Sequence, residues 1–206
     1  DLVLRTGGSS LVPAFYNLLT DRFDVGRVHD IDPLVSVVGG FAIAAHEYQI
    51  HPPRTLPAPD EVIVSPRGAE DDTLATYPLH LNAPAYSDRD FTIARIPSAL
   101  DGLPAIRTIN ADKDHADGSG VHFTLPKPAR VYVAYESTAR TLPGWMRGFT
   151  PENMQVEISD DFALIARVMS VYGRDFPAGK VQLGGNMAPG YNGQVIVNYL
   201  VIVNPA

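Results

Sequence analysis

The chain has 206 residues, a formal net charge of −7, 45% hydrophobic content and no cysteine. The apolar fraction suffices for a real core. The absence of any basic block argues against electrostatic binding to nucleic acid, and the absence of cysteine removes disulfides, thiolate nucleophiles and cysteine-ligated metals together.

Residues 1–48 read as strand, turn, helix, strand, helix. Leu2–Leu4 is a short apolar strand, and Gly7 and Gly8 permit backbone conformations that a Cβ would block. Ser10 is placed to cap a helix with Pro13 in its first turn, and Phe15, Leu18 and Leu19 recur at i, i+3, i+4. Arg27–His29 is a second candidate strand, and Asp32-Pro33 opens a second helix whose apolar residues run to Ala45. Its run VSVVGGFAIAA, at 35–45, is glycine-broken and shorter than the roughly 18–20 residues of a membrane span. No signal peptide is visible. Because the chain opens on Asp1 rather than Met, we read it as part of a longer protein.

The stretch HPPRTLPAPDE at 51–61 holds four prolines in eleven residues, the composition of a stiff linker. We therefore divide the chain into an α/β fragment over 1–50, a linker over 51–60 and a β domain over 61–206. The last begins with VIV (62–64) and continues through FTIARI (91–96), VHFTL (121–125), RVYVAY (130–135), MQVEI (154–158), MSVY (169–172), KVQLGG (180–185) and VIVNYLVIV (195–203). Gly, Pro, Asn and Asp clusters separate these runs. Such spacing predicts an antiparallel, jelly-roll-like β-sandwich. DFALIARVM at 161–169 reads equally as helix or strand, and no internal repeat is present.

The motif TGGSS-x-x-P, followed by DIDPLVSVVGGFAIAA, resembles the closing part of the ATPase domain of the seventy-kilodalton heat-shock chaperones and actin-like proteins, over residues 1–47. The resemblance implies that Gly7, Gly8 and Ser9 approach a nucleotide's ribose and phosphates. A helix N-terminus behind two glycines suits an anion. Leu11 stands where that family usually carries an arginine, and its phosphate loops and catalytic acids have no counterpart in this chain. Nucleotide binding is thus expected only with upstream sequence restored.

Over residues 86–203 a second pattern, with VYVAY-x-S-x-A-x-x-LP-x-W at its centre, resembles the β-sandwich module appended to secreted bacterial polysaccharide lyases and related carbohydrate-active proteins. This resemblance implies a non-catalytic accessory role, an extracellular location, and a polysaccharide or neighbouring catalytic domain as partner. Residues 1–48 alone would suggest the cytoplasm.

Trp145 is the first candidate carbohydrate contact, since an indole face stacks on a pyranose; plugging one end of the sandwich is the competing role. Tyr132 and Tyr135 lie on opposite faces of one strand, so one is expected in the core and the other at the surface. Tyr135 and Tyr191, the latter in a Gly-rich loop, complete the carbohydrate set. Asn110, Asp112 and Asp114 put oxygen side chains at alternate positions, as calcium prefers. His115 and Val121 break the EF-hand pattern, leaving a different calcium loop or a solvated turn. His115 with His122, and His46 with His51, show no zinc spacing. Ser9 and Ser10 lack the G-x-S-x-G elbow. Asp88 and Asp90 share strand parity, which admits glycosidase chemistry, but such a pair beside a strand edge is more often a charged turn. The chain shows no complete catalytic constellation, and we read it as a non-enzyme.

Overall fold

In the computed structural model, residues 3–5, 28–30, 56–116, 120–160, 166–190, 192 and 197–205 are described. The chain forms two compact units, Asp1–Thr55 and Leu56–Ala206. In the first, β1 (Val3–Arg5) and β2 (Val28–Asp30) pair in parallel. They lie within one residue of the strands expected there. The helices expected around them fall outside the described residues, as do Gly7, Gly8 and Ser9.

The second unit is mainly β and antiparallel. It opens on a one-turn helix, α1 (Pro59–Val62), with Pro59 at its start and Asp60 and Glu61 in its first turn. Both features suit a helix N-terminus. VIV at 62–64 is therefore not one strand: Val62 closes α1 and Val64 begins β3 (Val64–Arg67). Next come β4 (Ala75–Pro78), β5 (Phe91–Arg95), β6 (Pro104–Arg107), β7 (His122–Leu125) and β8 (Ala129–Glu136). The last four are β9 (Thr150–Asp160), β10 (Ala166–Phe176), β11 (Gly179–Gln182) and β12 (Leu200–Pro205). The ambiguous run at 161–169 enters β10 from Ala166 onward.

Two strands, β4 and β6, have no counterpart in the sequence reading. Each has four residues, and each is bounded by proline, which lacks the ladder donor. They pair with each other, Pro78 opposite Pro104, at one margin of the large sheet.

Seven strands form that sheet in the order β4-β6-β12-β8-β10-β9-β5, and three form a smaller one in the order β11-β7-β3. Between the sheets lies a core of Val121, Phe123 and Leu125 from β7 and its approach, Val181 from β11, and Val131, Val133, Tyr135, Val201 and Val203 from the large sheet. A second core covers the other face. It takes Tyr77, Ala105, Ile202, Ala134, Met169, Ile158 and Ile93, one from each of the seven strands. A sheet whose every strand feeds one cluster is curled around it. Leu79, Ala85, Tyr86, Leu100 and Leu103, from the segments between strands, close that cluster.

Because both faces of its centre are covered, β8 is apolar and buried almost throughout instead of alternating with polar residues. The cover is uneven. No residue of β5 or β9 belongs to the inter-sheet core. Among the described residues, no helix is long and apolar enough to cross a membrane.

Candidate functional site

Trp145 sits on a short 3-10 turn, Gly144–Met146, entered through Pro143. Its indole N–H donates to the Gly185 carbonyl at 2.9 Å. The ring stands edge-on to Phe149 at 6.0 Å and tilts against Tyr199 at 5.4 Å. Half-buried, it packs on the rim of the inter-sheet core. Gly184 makes room for it, since a Cβ there would lie 2.8 Å from the indole Cγ.

Tyr135 requires a correction. It is 1% exposed, and its hydroxyl donates to the Asn186 carbonyl at 2.6 Å, so it is not a surface contact. Tyr132, on the opposite face, is 8% exposed and belongs to the second core. Parity separated the two rings as expected, but both faces of the sheet at β8 are covered. Tyr191 lies outside the described residues; beside it, Asn192 bridges to Thr141.

Asn110, Asp112 and Asp114 fall on one 3-10 helix, Asn110–Asp114. At about 120° per residue, positions two apart project from different sides of such a turn. Their partners differ accordingly. Asn110 is buried, and its side-chain oxygen accepts from the Asn198 N–H at 2.9 Å. The Asp112 carboxylate accepts from the Ala69 N–H at 3.3 Å, and burial pushes its pKa up. Exposed Asp114 pairs with Lys113 at 3.3 Å. Among the described residues, no group of three or more His, Cys, Asp or Glu side chains is placed to hold a metal ion. Asp88 accepts from the N–H groups of Asn110 at 2.6 Å and Ala111 at 3.0 Å. It thereby caps the same turn. His115 approaches Glu70 at 3.5 Å, and His122 approaches Asp71 at 3.5 Å.

A small space of about 10 Å³ is bordered by Asp112, Asn186, Asn198 and Tyr199 among others. The Asn186 amide nitrogen donates to Val197 O at 3.1 Å, which fixes the amide orientation. The Tyr199 hydroxyl accepts from the Val121 N–H at 3.1 Å and donates to Gly184 O at 3.0 Å. Burial raises the Tyr199 phenol pKa well above its usual range.

A feature absent from the sequence reading is a cleft of about 640 Å³ at the β5–β9–β10 end of the large sheet. Two irregularities create it. Ser170 of β10 pairs with Gln155 of β9, but Tyr172 pairs with Pro151, so Glu152, Asn153 and Met154 together face Val171 alone. One strand away, the β5–β9 register shifts between Ile93 and Arg95. Asn153 carries a φ of 52°, in the left-handed region. Asparagine tolerates that region better than most residues. Bulges bend a strand and re-aim its side chains. Here they hollow the sheet, and Asn153, Gln155, Ser170, Tyr172 and Arg95 line the hollow. Arg95 forms an ion pair with Glu157. The trace of this in the sequence is the non-strand pair Pro151 and Asn153 next to MQVEI.

Fold and site together define a two-sheet antiparallel β-sandwich with an open, bulge-lined cleft on its larger sheet. No family model matches the chain, and no curated protein does. Among solved structures, 74% of the chain overlays on a β-glucuronidase from glycoside hydrolase family 2, with a TM-score of 0.60 and 20% identity. A glycoside hydrolase family 138 enzyme targeting pectin rhamnogalacturonan II gives a TM-score of 0.45 at 14% identity over 80% of the chain. The chain spans 15% and 19% of the lengths of those two proteins. The first likeness is one of fold; the second is too loose to carry an argument.

Proposed function

We propose that this chain is a non-catalytic, carbohydrate-associated β-sandwich belonging to a larger secreted protein. The observation that carries the reading is the fold likeness to a fraction, 15%, of a carbohydrate-active enzyme's chain. A piece that small has the size of a module within such an enzyme, and the string VYVAYESTARTLPGW points the same way. Its partner is then a polysaccharide or the catalytic domain beside it. Fold alone does not assign an activity, so the test must be a binding test. The 206-residue chain is mixed with insoluble polysaccharides, with calcium or with chelator, and the unbound fraction is measured. Retention on one polymer is the expected result. Its loss with chelator would show that binding needs calcium. No retention on any polymer would leave the sandwich as a spacer or a protein-docking module.

A second reading rests on the parallel pairing of β1 and β2, the pairing an α/β unit requires. On it, residues 1–50 close an actin-like ATPase domain, Gly7, Gly8 and Ser9 meet a nucleotide once the upstream loops are present, and the sandwich is a partner-binding arm.

A further inference from the structure

We propose that the cleft between the bulges of β5, β9 and β10 is the ligand site of this module, and that it takes an uncharged glycan. The inference rests on the accessory-module reading above and gives it a location and a ligand class.

The lining has two components. Tyr172, Met154, Pro97 and Pro151 offer apolar surface, and Gln155, Asn153 and Ser170 offer neutral hydrogen-bonding groups. A pyranose ring has the complementary composition: C–H groups on its faces and a belt of neutral hydroxyls. Amides and hydroxyls both donate and accept, so they match hydroxyls whichever way those point. A ring stacked on Tyr172 leaves its hydroxyls toward Gln155 and Asn153. The strained φ of 52° at Asn153 belongs to this lining. Strain of that kind gathers at binding sites because the surrounding structure must hold it.

Charge selects against acidic polymers. The guanidinium of Arg95 is matched by the Glu157 carboxylate, so the cleft offers no unpaired cation from that pair. The whole chain carries −7 and repels a polyanion at long range. A peptide adding as a strand is also disfavoured. The outer edge of β5 is already occupied, with Ile93 N–H donating to Ala83 O at 2.9 Å and Ala85 N–H donating to Phe91 O at 2.8 Å. Such an addition needs a free ladder edge.

The test uses the 206-residue chain, neutral insoluble polysaccharides (cellulose, xylan and mannan), their soluble hexasaccharides, and polygalacturonate as the anionic arm. The variants are Gln155→Ala, Asn153→Gly and Tyr172→Ala, with exposed Leu81→Ser as a control away from the cleft. Gln155 and Asn153 are exposed, and glycine accepts the backbone of Asn153, so these two variants keep the fold. Urea midpoints check this for every variant. The expected result is retention on a neutral polymer, with affinity about fivefold weaker for each amide variant and about tenfold weaker for Tyr172→Ala. Retention unchanged in Gln155→Ala and Asn153→Gly would overturn the proposed site while leaving the accessory-module reading standing. Retention on polygalacturonate alone, weakened by salt, would overturn the ligand class. No retention on any polymer would overturn both the site and the carbohydrate reading beneath it.

Discussion

Gly184 and Trp145 show how one missing methyl group positions a large side chain. The indole lies where a Cβ at Gly184 would stand, and its N–H reaches the next carbonyl, Gly185. Gly184→Ala should push the ring outward, break that hydrogen bond and cost roughly 1–3 kcal/mol. Trp145 is the only tryptophan, so its fluorescence reports the change directly. The expected outcome is a red-shifted emission together with a lower urea midpoint; an unshifted spectrum at equal stability would refute the packing account. Proline and glycine punctuate the chain locally, so a bend at Leu142-Pro143-Gly144-Trp145 follows from those residue types. The partners of Trp145 do not: Tyr199 and Gly185 lie 54 and 40 residues away in the chain.

At the scale of elements, an ion pair spans a strand. Arg130 on β8 and Glu152 on β9 meet at 2.6 Å over β10, which lies between them. Asp175 adds a second contact to Arg130 at 2.8 Å. The crossing is open because Gly173 occupies that point of β10; a Cβ there would lie 2.8 Å from the Arg130 Nε and closer still to the Glu152 carboxylate. The bulge in β9 brings Glu152 to this position as well as hollowing the cleft. Gly173→Ala should part the pair and destabilise the sheet by at most about 1 kcal/mol, because the atoms in the way are the ends of two flexible, partly exposed side chains. Urea denaturation would measure it, and in the Glu152→Gln background the penalty should shrink. An equal penalty in both backgrounds would mean that the ion pair is not what the methyl group disturbs. Strand periodicity found β5, β7 and β8 at nearly their true positions, since each has a run of β-branched and aromatic residues, but only the middle of β10. It missed β4 and β6, whose strand character comes from pairing with each other and, for β6, with β12.

For the molecule as a whole, the double-sided burial of the large sheet has a consequence at high pH. Tyr86 and Tyr199 are 2% exposed, and burial raises both phenols well above the usual tyrosine range. The unfolded chain therefore releases these protons from about pH 10 upward while the folded chain retains them. Since stability falls wherever the unfolded state binds fewer protons, it should decline as pH rises above 10. Phenolate absorbance, followed beside circular dichroism as pH is raised, measures this. The buried phenols should ionise only as circular dichroism records loss of the sheets. A single smooth titration with the sheets intact would contradict this.

The sequence by itself determined the class of the second unit, the middles of its longer strands and the turn chemistry around Trp145. These depend on local pattern: alternation, β-branched runs, and the conformational preferences of proline, glycine and asparagine. Tertiary structure decided which tyrosines are hidden. Parity places Tyr132 and Tyr135 on opposite faces, but only the curl of seven strands around a second core buries both. It decided that Asn110, Asp112 and Asp114 turn away from one another, because a 3-10 helix rather than an extended loop carries them. It also decided the cleft, because a bulge is a mismatch between two strands: Pro151 and Asn153 hint at an irregular β9, but not at the residue of β10 that it faces.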